Sequence, residues 1–121
     1  MAEKISVGRI GENIACEYLK KKGYIIISRN YHTRSGEIDI ICQKDLYLIF
    51  TEVKTRIGDL KGKPYEQVTY HKRKHLKKII DIYILLNKPL LKKYRFDIVS
   101  IVLNSNFKVK NLIHFINVPL P

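Results

Sequence analysis

The sequence predicts an α/β fold in which a mixed central β-sheet is flanked by helices, in the order α-β-β-β-α-β-β. Two stretches carry apolar residues at helical spacing, and five shorter runs are rich in β-branched and aromatic residues. Three of these runs follow one another directly, and the second helical stretch precedes the last two. The 121 residues contain no repeat and no linker rich in Pro, Gly or Ser, so we expect one domain over 1–121.

The first four elements follow in close succession. Residues 5–22 place Ile10, Ile14 and Tyr18 on one side, which predicts a helix with Gly23 in the C-terminal capping position. The segments "TRSG" and "KD" are of turn size, so they predict direct connections between strands. Three strands are predicted in this region, over residues 24–32, 37–43 and 46–55.

The second half begins with "IGDLKGKPYEQV", whose Gly and Pro content predicts a loop. A second helix is predicted from about Thr69 to about Asn87, with Pro89 just past its end. We expect this helix to bury Leu76, Ile79, Ile80, Tyr83 and Leu86. Two further strands are predicted over residues 94–103 and 107–116.

The charge balance is the strongest signal in the composition. The chain has 23 Lys and Arg against 11 Asp and Glu, a formal net charge of +12. The basic residues cluster at 20–24, 71–78 and 92–95, which favours a polyanionic partner, with nucleic acid ahead of a membrane surface. The alternative is a generally basic proteome or a bias for solubility.

Neither a membrane span nor a secretion signal is expected. No run reaches the roughly 18 apolar residues that span a bilayer, and the start "MAEKISVGRI" lacks the apolar segment of a signal peptide. We therefore expect a cytoplasmic protein without a membrane partner. Cys16 and Cys42 are far apart and form no CxxC pair, so both are predicted to be buried thiols.

Acidic residues interrupt two of the most apolar runs. Because side chains alternate along a strand, Glu37 and Asp39 share one face of their strand. Glu52 and Lys54 likewise share one face of the next strand. If the two strands pair, the acids meet at one end, where a hard cation such as Mg²⁺ or Mn²⁺ would compensate them. Glu12 lies at the edge of the apolar stripe of the first helix, facing the sheet more than the solvent.

These residues also have structural interpretations. Glu52 and Lys54 can form an ion pair, and Asp39 can cap a neighbouring loop. Glu12 can be a solvated residue or an ion-pair partner, and Glu37 can be the polar end of a strand.

A fifth acid, Asp97 in "RFDIVSI", also interrupts an apolar run. We assign it to a structural pairing with Arg95 or a lysine rather than to a metal site.

The segments "GRIGENIACEYLKKKGYIIISRNYHTRSGEIDII" and "FTEVKTR" closely resemble the small bacterial YraN-like proteins. The resemblance covers about residues 7–102. A helix-borne Glu, followed by an Asp thirteen residues before a Glu-x-Lys, also resembles the PD-(D/E)XK superfamily of restriction endonucleases and Holliday junction resolvases. The resemblance implies a restriction-endonuclease-like fold and an endonuclease activity that depends on Mg²⁺ or Mn²⁺.

The resemblance also implies roles for individual residues. Asp39 and Glu52 match metal-binding catalytic acids, with the backbone carbonyl of Val53 as a further ligand. Glu12 matches the helix-borne metal ligand of the resolvase branch. Lys54 matches the catalytic lysine that orients or activates the attacking water. Two residues are expected to support the site without holding the metal: Glu37 and Gln67.

The start of the second predicted helix is basic. Lys72, Arg73 and Lys74 occupy its first turns, where the helix macrodipole favours negative charge, and a phosphate backbone would relieve this conflict. The alternative is a solvated basic face. With Arg34 and Arg56, these three residues are the predicted contacts to nucleic acid.

Two functions fit these observations. The first is a Mg²⁺-dependent endonuclease acting on DNA rather than RNA. Because no separate domain reads base sequence, branched or otherwise structured DNA is one candidate substrate. Symmetric cutting of a junction would favour a homodimer, although no isolated apolar stripe requires one. The second is a nucleic-acid-binding protein with a nuclease-like fold that is not catalytic or that requires a partner for activity.

Overall fold

The computed structural model describes residues 6–58 and 68–121 of the chain. Within these ranges two helices and five strands follow in the order α-β-β-β-α-β-β, which confirms the predicted order. The elements are α1 Val7–Lys21, β1 Ile25–Thr33, β2 Gly36–Lys44, β3 Tyr47–Ile57, α2 Tyr70–Asn87, β4 Lys93–Leu103 and β5 Val109–Phe115.

The five strands form one mixed sheet in the order β1-β2-β3-β4-β5. Neighbouring strands are antiparallel except for β3 and β4, which are parallel. The parallel pair is possible because the long connection through α2 returns the chain to the starting end of the sheet. β2 and β3, the strands that carry the acids, are neighbours with Ile40 opposite Thr51. The predicted mixed sheet and the pairing of these two strands are therefore confirmed.

Local signals define the helix ends. Ser6 and Thr69 cap α1 and α2, because each side-chain oxygen accepts a hydrogen bond from the backbone amide three residues later. Gly23 follows α1 with a φ of +90°, a conformation that favours glycine. α2 ends at Asn87, and its C-cap is Lys88, whose φ is +45°, just before Pro89.

The sheet separates two hydrophobic clusters. Alternate residues of β3 point to opposite sides, so that Ile49 and Val53 belong to the cluster of α1, whereas Leu48 and Phe50 belong to that of α2. Each helix buries one side against its cluster. The buried apolar residues are Ala15, Cys16 and Leu19 in α1, and Leu76, Ile79, Ile80 and Tyr83 in α2.

Two details of the prediction are wrong. Leu86 was expected to be buried but is 68% exposed, and Leu85 is 73% exposed. The reason is that the last turn of α2 extends past the hydrophobic cluster. β5 begins at Val109 rather than at 107, because Phe107 adopts a left-handed φ of 61° and its amide donates to the Asn104 carbonyl in a turn.

Asp97 is fully buried and joins β4 to the C-terminal part of the chain. Arg95 donates to its two carboxylate oxygens at 2.9 and 3.1 Å, and His114 Nε2 lies 2.7 Å from Oδ2. The amide of Asn117 donates to Oδ1 at 2.9 Å. Burial acts to raise the pKa of Asp97, but these hydrogen bonds outweigh it and lower the pKa below its ordinary value. The predicted structural pairing with Arg95 is confirmed.

Two predictions concern burial and membranes. Cys16 and Cys42 are both free and buried, as expected. Of the helices in the described ranges, neither is both long enough and apolar enough to cross a lipid bilayer.

Candidate active site

A cleft of about 560 Å³ lies between the sheet and the N-terminal half of α2. Its lining residues are Glu37, Asp39, Glu52 and Lys54 from the strands, and His71, Lys72, His75, Leu76 and Ile79 from the helix. The acids predicted from β2 and β3 therefore face a helix that carries basic side chains.

Three carboxylates come together beside this cleft. One oxygen from each of Glu12, Glu37 and Asp39 lies within 4.8 Å of the other two. Asp39 is only 6% exposed, and the other two are half-buried. Glu37 was expected to support the site without holding the metal. It lies two residues from Asp39 on the same face of β2 and belongs to the group of carboxylates that could hold a metal, and its supporting role stays a prediction.

Two glycines permit this grouping, and each immediately precedes one of the acids. A Cβ at Gly11 would lie 1.7 Å from Thr55 Oγ1, so the absence of a side chain lets α1 lie closely against β3. Gly36 has a φ of +137°, and a Cβ there would lie 3.1 Å from Ile79 Cδ1. In each of the segments "GENIA" and "GEIDII", a glycine that the backbone requires is therefore followed directly by an acidic residue of the site.

Asp39 connects the two acidic strands. The backbone N–H of Val53 donates to its Oδ2 at 2.8 Å, and the side chain of Glu52 also hydrogen-bonds to it. The pKa of Glu52 is raised from 4.5 to about 9, first by burial and then by the hydrogen bond and charge of Asp39. The positive charges of Lys54 and Lys72 oppose this shift. Unless a cation lies beside it, Glu52 therefore keeps its proton at neutral pH.

Glu12 has a partner that the sequence analysis missed. Burial raises the pKa of Glu12, as does the charge of Asp39, whereas a hydrogen bond from the Asn30 side chain lowers it. Asn30 has a left-handed φ of 52° within β1. The available signal was an Asn inside the strand-like run "YIIISRNYH", since Asn tolerates this conformation better than its neighbours do.

Lys54 and Lys72 approach each other across the cleft. Lys54 is half-buried on β3, and Lys72 lies in the first turn of α2. The proximity of Lys54 is the largest cause that lowers the pKa of Lys72, and burial is the next. Glu52 and Asp39 oppose the shift. The cleft therefore holds a pair of cations close to its acids.

The other predicted basic contacts occupy different places. Arg34 is exposed in the turn between β1 and β2, and Lys74 is exposed on α2. Arg56 is half-buried on β3. Arg73 Nη1 donates to the carbonyl of Pro119 at 3.2 Å, so this guanidinium contacts the C-terminal part of the chain. Arg34 and Lys74 are therefore more accessible to a ligand than Arg73 is.

The donor set suits a hard divalent cation. Glu12, Glu37, Asp39 and Glu52 offer only carboxylate oxygens, which Mg²⁺ and Mn²⁺ prefer, whereas the softer metals favour sulfur or imidazole. The role of the Val53 carbonyl as a ligand stays a prediction. Gln67 lies outside the described residues.

Comparison with known proteins places the chain among its relatives. The profile of the family described as "Uncharacterised protein family UPF0102" matches residues 11–101. The chain belongs to the UPF0102 family. It is 45% identical over 111 residues to the UPF0102 protein of Dictyoglomus thermophilum, covering 92% of this chain and 94% of the relative. The UPF0102 protein of Syntrophomonas wolfei is 42% identical over 111 residues, covering 92% and 95%. That of Clostridium botulinum strain Loch Maree is 41% identical over 109 residues, covering 86% and 88%. The predicted relationship to the YraN-like proteins is confirmed at the level of this family.

Proposed function

We infer that this UPF0102 protein is a metal-dependent endonuclease with a restriction-endonuclease-like fold, which hydrolyses phosphodiester bonds in DNA. The observation that carries the proposal is the meeting of acids from α1 and β2, Glu12, Glu37 and Asp39, beside a cleft that Asp39 lines together with Glu52 and Lys54 of β3. A structural ion pair needs one acid and one base, whereas metal-assisted hydrolysis of a phosphodiester uses several acids to hold the metal and benefits from a cationic group beside them.

The acids would hold Mg²⁺ or Mn²⁺. Asp39 is oriented by the Val53 amide, and Glu12 by the amide of Asn30. Glu52 would complete the set: when a cation displaces its proton, the positive charge of the cation would offset the repulsion between the two ionised carboxylates of Glu52 and Asp39. A bound metal would neutralise part of the phosphate charge and lower the pKa of a water molecule bound to it.

Lys54 acts on the phosphate itself. It is two residues from Glu52 on the same face of β3 and lines the cleft, so its ammonium group can donate to a phosphate oxygen held near the acids. A fixed donor of this kind stabilises the negative charge that develops as the phosphorus is attacked. Lys54 is also placed to orient the attacking water.

The surface around the acids favours a polyanionic substrate. The whole chain has a formal net charge of +12, and His71, Lys72 and His75 line the cleft opposite the carboxylates. Arg34 and Lys74 are exposed nearby on the β1–β2 turn and on α2. Contacts of this kind bind phosphates without reading bases, so we propose recognition of DNA by its shape, including branched DNA.

The test is cleavage of labelled duplex, single-stranded and four-way-junction DNA in Mg²⁺, Mn²⁺ or EDTA. The variants are Asp39→Asn, which keeps an oxygen acceptor for the Val53 amide, and Lys54→Met. Glu17→Gln is the control, because Glu17 is exposed on α1 and contacts only Lys20, at 3.6 Å, among the ion pairs of the described residues.

We expect metal-dependent cutting by wild type and Glu17→Gln, and a loss of about 10²-fold or more in the two site variants. Cuts at symmetric positions on two strands of the junction, together with the mass of a dimer in analytical ultracentrifugation, would support a homodimer. DNA binding without cutting on any substrate would contradict the catalytic proposal and favour a binding protein that is inactive or requires a partner.

A further inference from the structure

Two lysines meet where their charges conflict. Lys54 extends from β3 and Lys72 from the first turn of α2, and both side chains line the same cleft. Lys72 is exposed and has a long flexible side chain, so it is free to extend into solvent. It approaches another ammonium group instead.

The nearby acids explain this arrangement only in part. Glu52 and Asp39 attract Lys72, but the like charge of Lys54, which lines the same cleft, opposes this attraction. A small anion seated between the two ammonium groups would satisfy both lysines at once.

The helix adds positive potential at the same place. α2 has 18 residues, and its first turn, which is described in full, contains no acidic residue. The partial positive charge of the helix N-terminus therefore lies beside Lys72 without compensation from its own sequence. The two lysines, the cleft and the helix end all favour one negatively charged group.

We propose that Lys54 and Lys72 together seat the scissile phosphate, so that Lys72 contacts the reacting group rather than a distant part of the DNA backbone. This role rests on the proposed function and deepens it. Lys72 would donate to a non-bridging oxygen from α2, while Lys54 donates from β3. The phosphate is thereby held between the helix and the acids of the sheet.

The first test compares Lys72→Met with Lys78→Met. Lys78 is exposed on another side of α2 and does not line the cleft, so its substitution removes the same charge from the same helix. With the DNA substrate that wild type cuts best, we expect Lys72→Met to lower kcat by about 10²-fold and Lys78→Met to change it by less than about twofold. Lys72→Arg should restore part of the loss because it keeps the positive charge.

Equal kcat values for Lys72→Met and Lys78→Met would overturn the proposal. A Lys72→Met variant that raises KM with an unchanged kcat would also overturn it, since that pattern indicates a backbone contact away from the reacting phosphate.

A second measurement does not depend on catalysis. Inorganic phosphate is titrated into the protein in EDTA at constant ionic strength, and backbone amide shifts are followed by NMR. We expect saturable shifts at Lys54 and in the first turn of α2 for wild type and Lys78→Met, and their loss in Lys72→Met. Absence of these shifts in wild type, or their persistence in Lys72→Met, would overturn the phosphate seat even if DNA is cut. If wild type cuts no DNA but shows these shifts, the endonuclease proposal fails and the phosphate site stands.

Discussion

Replacing Glu52 by Gln is expected to stabilise the protein at neutral pH in the presence of EDTA. The carboxyl group of Glu52 has an ordinary pKa of 4.5, and in the folded protein its pKa is raised to about 9. Folding at pH 7 therefore requires this group to take up a proton. At 1.36 kcal/mol per pH unit, the interval from 4.5 to 7 corresponds to a penalty of about 3 kcal/mol, which Gln does not incur.

The sign of the effect follows from the raised pKa. The stabilising contribution of protonated Glu52 is complete below pH 4.5 and is lost as the pH rises towards about 9. Gln keeps a hydrogen-bond donor for Asp39 at every pH. The advantage of Glu52→Gln over wild type should therefore be small at pH 4.5 and grow by about 1 kcal/mol per pH unit up to pH 7.

Urea unfolding in EDTA at several pH values measures this difference. Glu17→Gln is the control, because Glu17 is exposed and its substitution should change the free energy of unfolding by less than about 0.5 kcal/mol at each pH. A difference between wild type and Glu52→Gln that does not vary with pH would refute the reasoning. So would a Gln variant that is less stable than wild type at pH 7.

Two further predictions concern the framework that positions the site. Gly11→Ala should lower the free energy of unfolding by about 2 kcal/mol or more, because the new Cβ would lie 1.7 Å from Thr55 Oγ1. The control is Gly8→Ala, whose Cβ would have nothing within 4 Å, so it should be neutral or stabilising by up to about 1 kcal/mol. Equal effects in thermal unfolding would show that α1 does not lie closely on β3. Asp97→Ala should lower the free energy of unfolding by about 3–5 kcal/mol, because it removes the carboxylate that pairs with the Arg95 side chain. A decrease of less than about 1 kcal/mol in urea unfolding would contradict that interpretation.

Most of the fold was predictable because its signals are local. The continuous apolar runs of β2 and β3 and the caps at Ser6 and Thr69 act over a few residues. Exposure at the end of an element depends on what covers it. Leu86 continues the apolar side of α2, yet it is exposed because it lies beyond the hydrophobic cluster on which the helix packs.

The candidate site was predictable where its residues share a strand. The spacing of Glu37 and Asp39 places both on one face, whatever the rest of the chain does. Contacts between elements that are distant in the sequence could not be predicted in this way. The approach of Lys72 to Lys54 and the contact of Arg73 with the C-terminal part of the chain depend on where α2 lies on the sheet, which neighbouring residues do not encode.

The central claim is that the acids of α1, β2 and β3 hold a divalent cation. Isothermal calorimetry with Mn²⁺ tests it directly, using wild type, Asp39→Asn and Glu17→Gln at the same pH and ionic strength. We expect Mn²⁺ to bind saturably to wild type and to Glu17→Gln, and to bind Asp39→Asn with an affinity that is weaker by about 10-fold or more. No saturable heat with wild type, or equal affinity in Asp39→Asn, would contradict it.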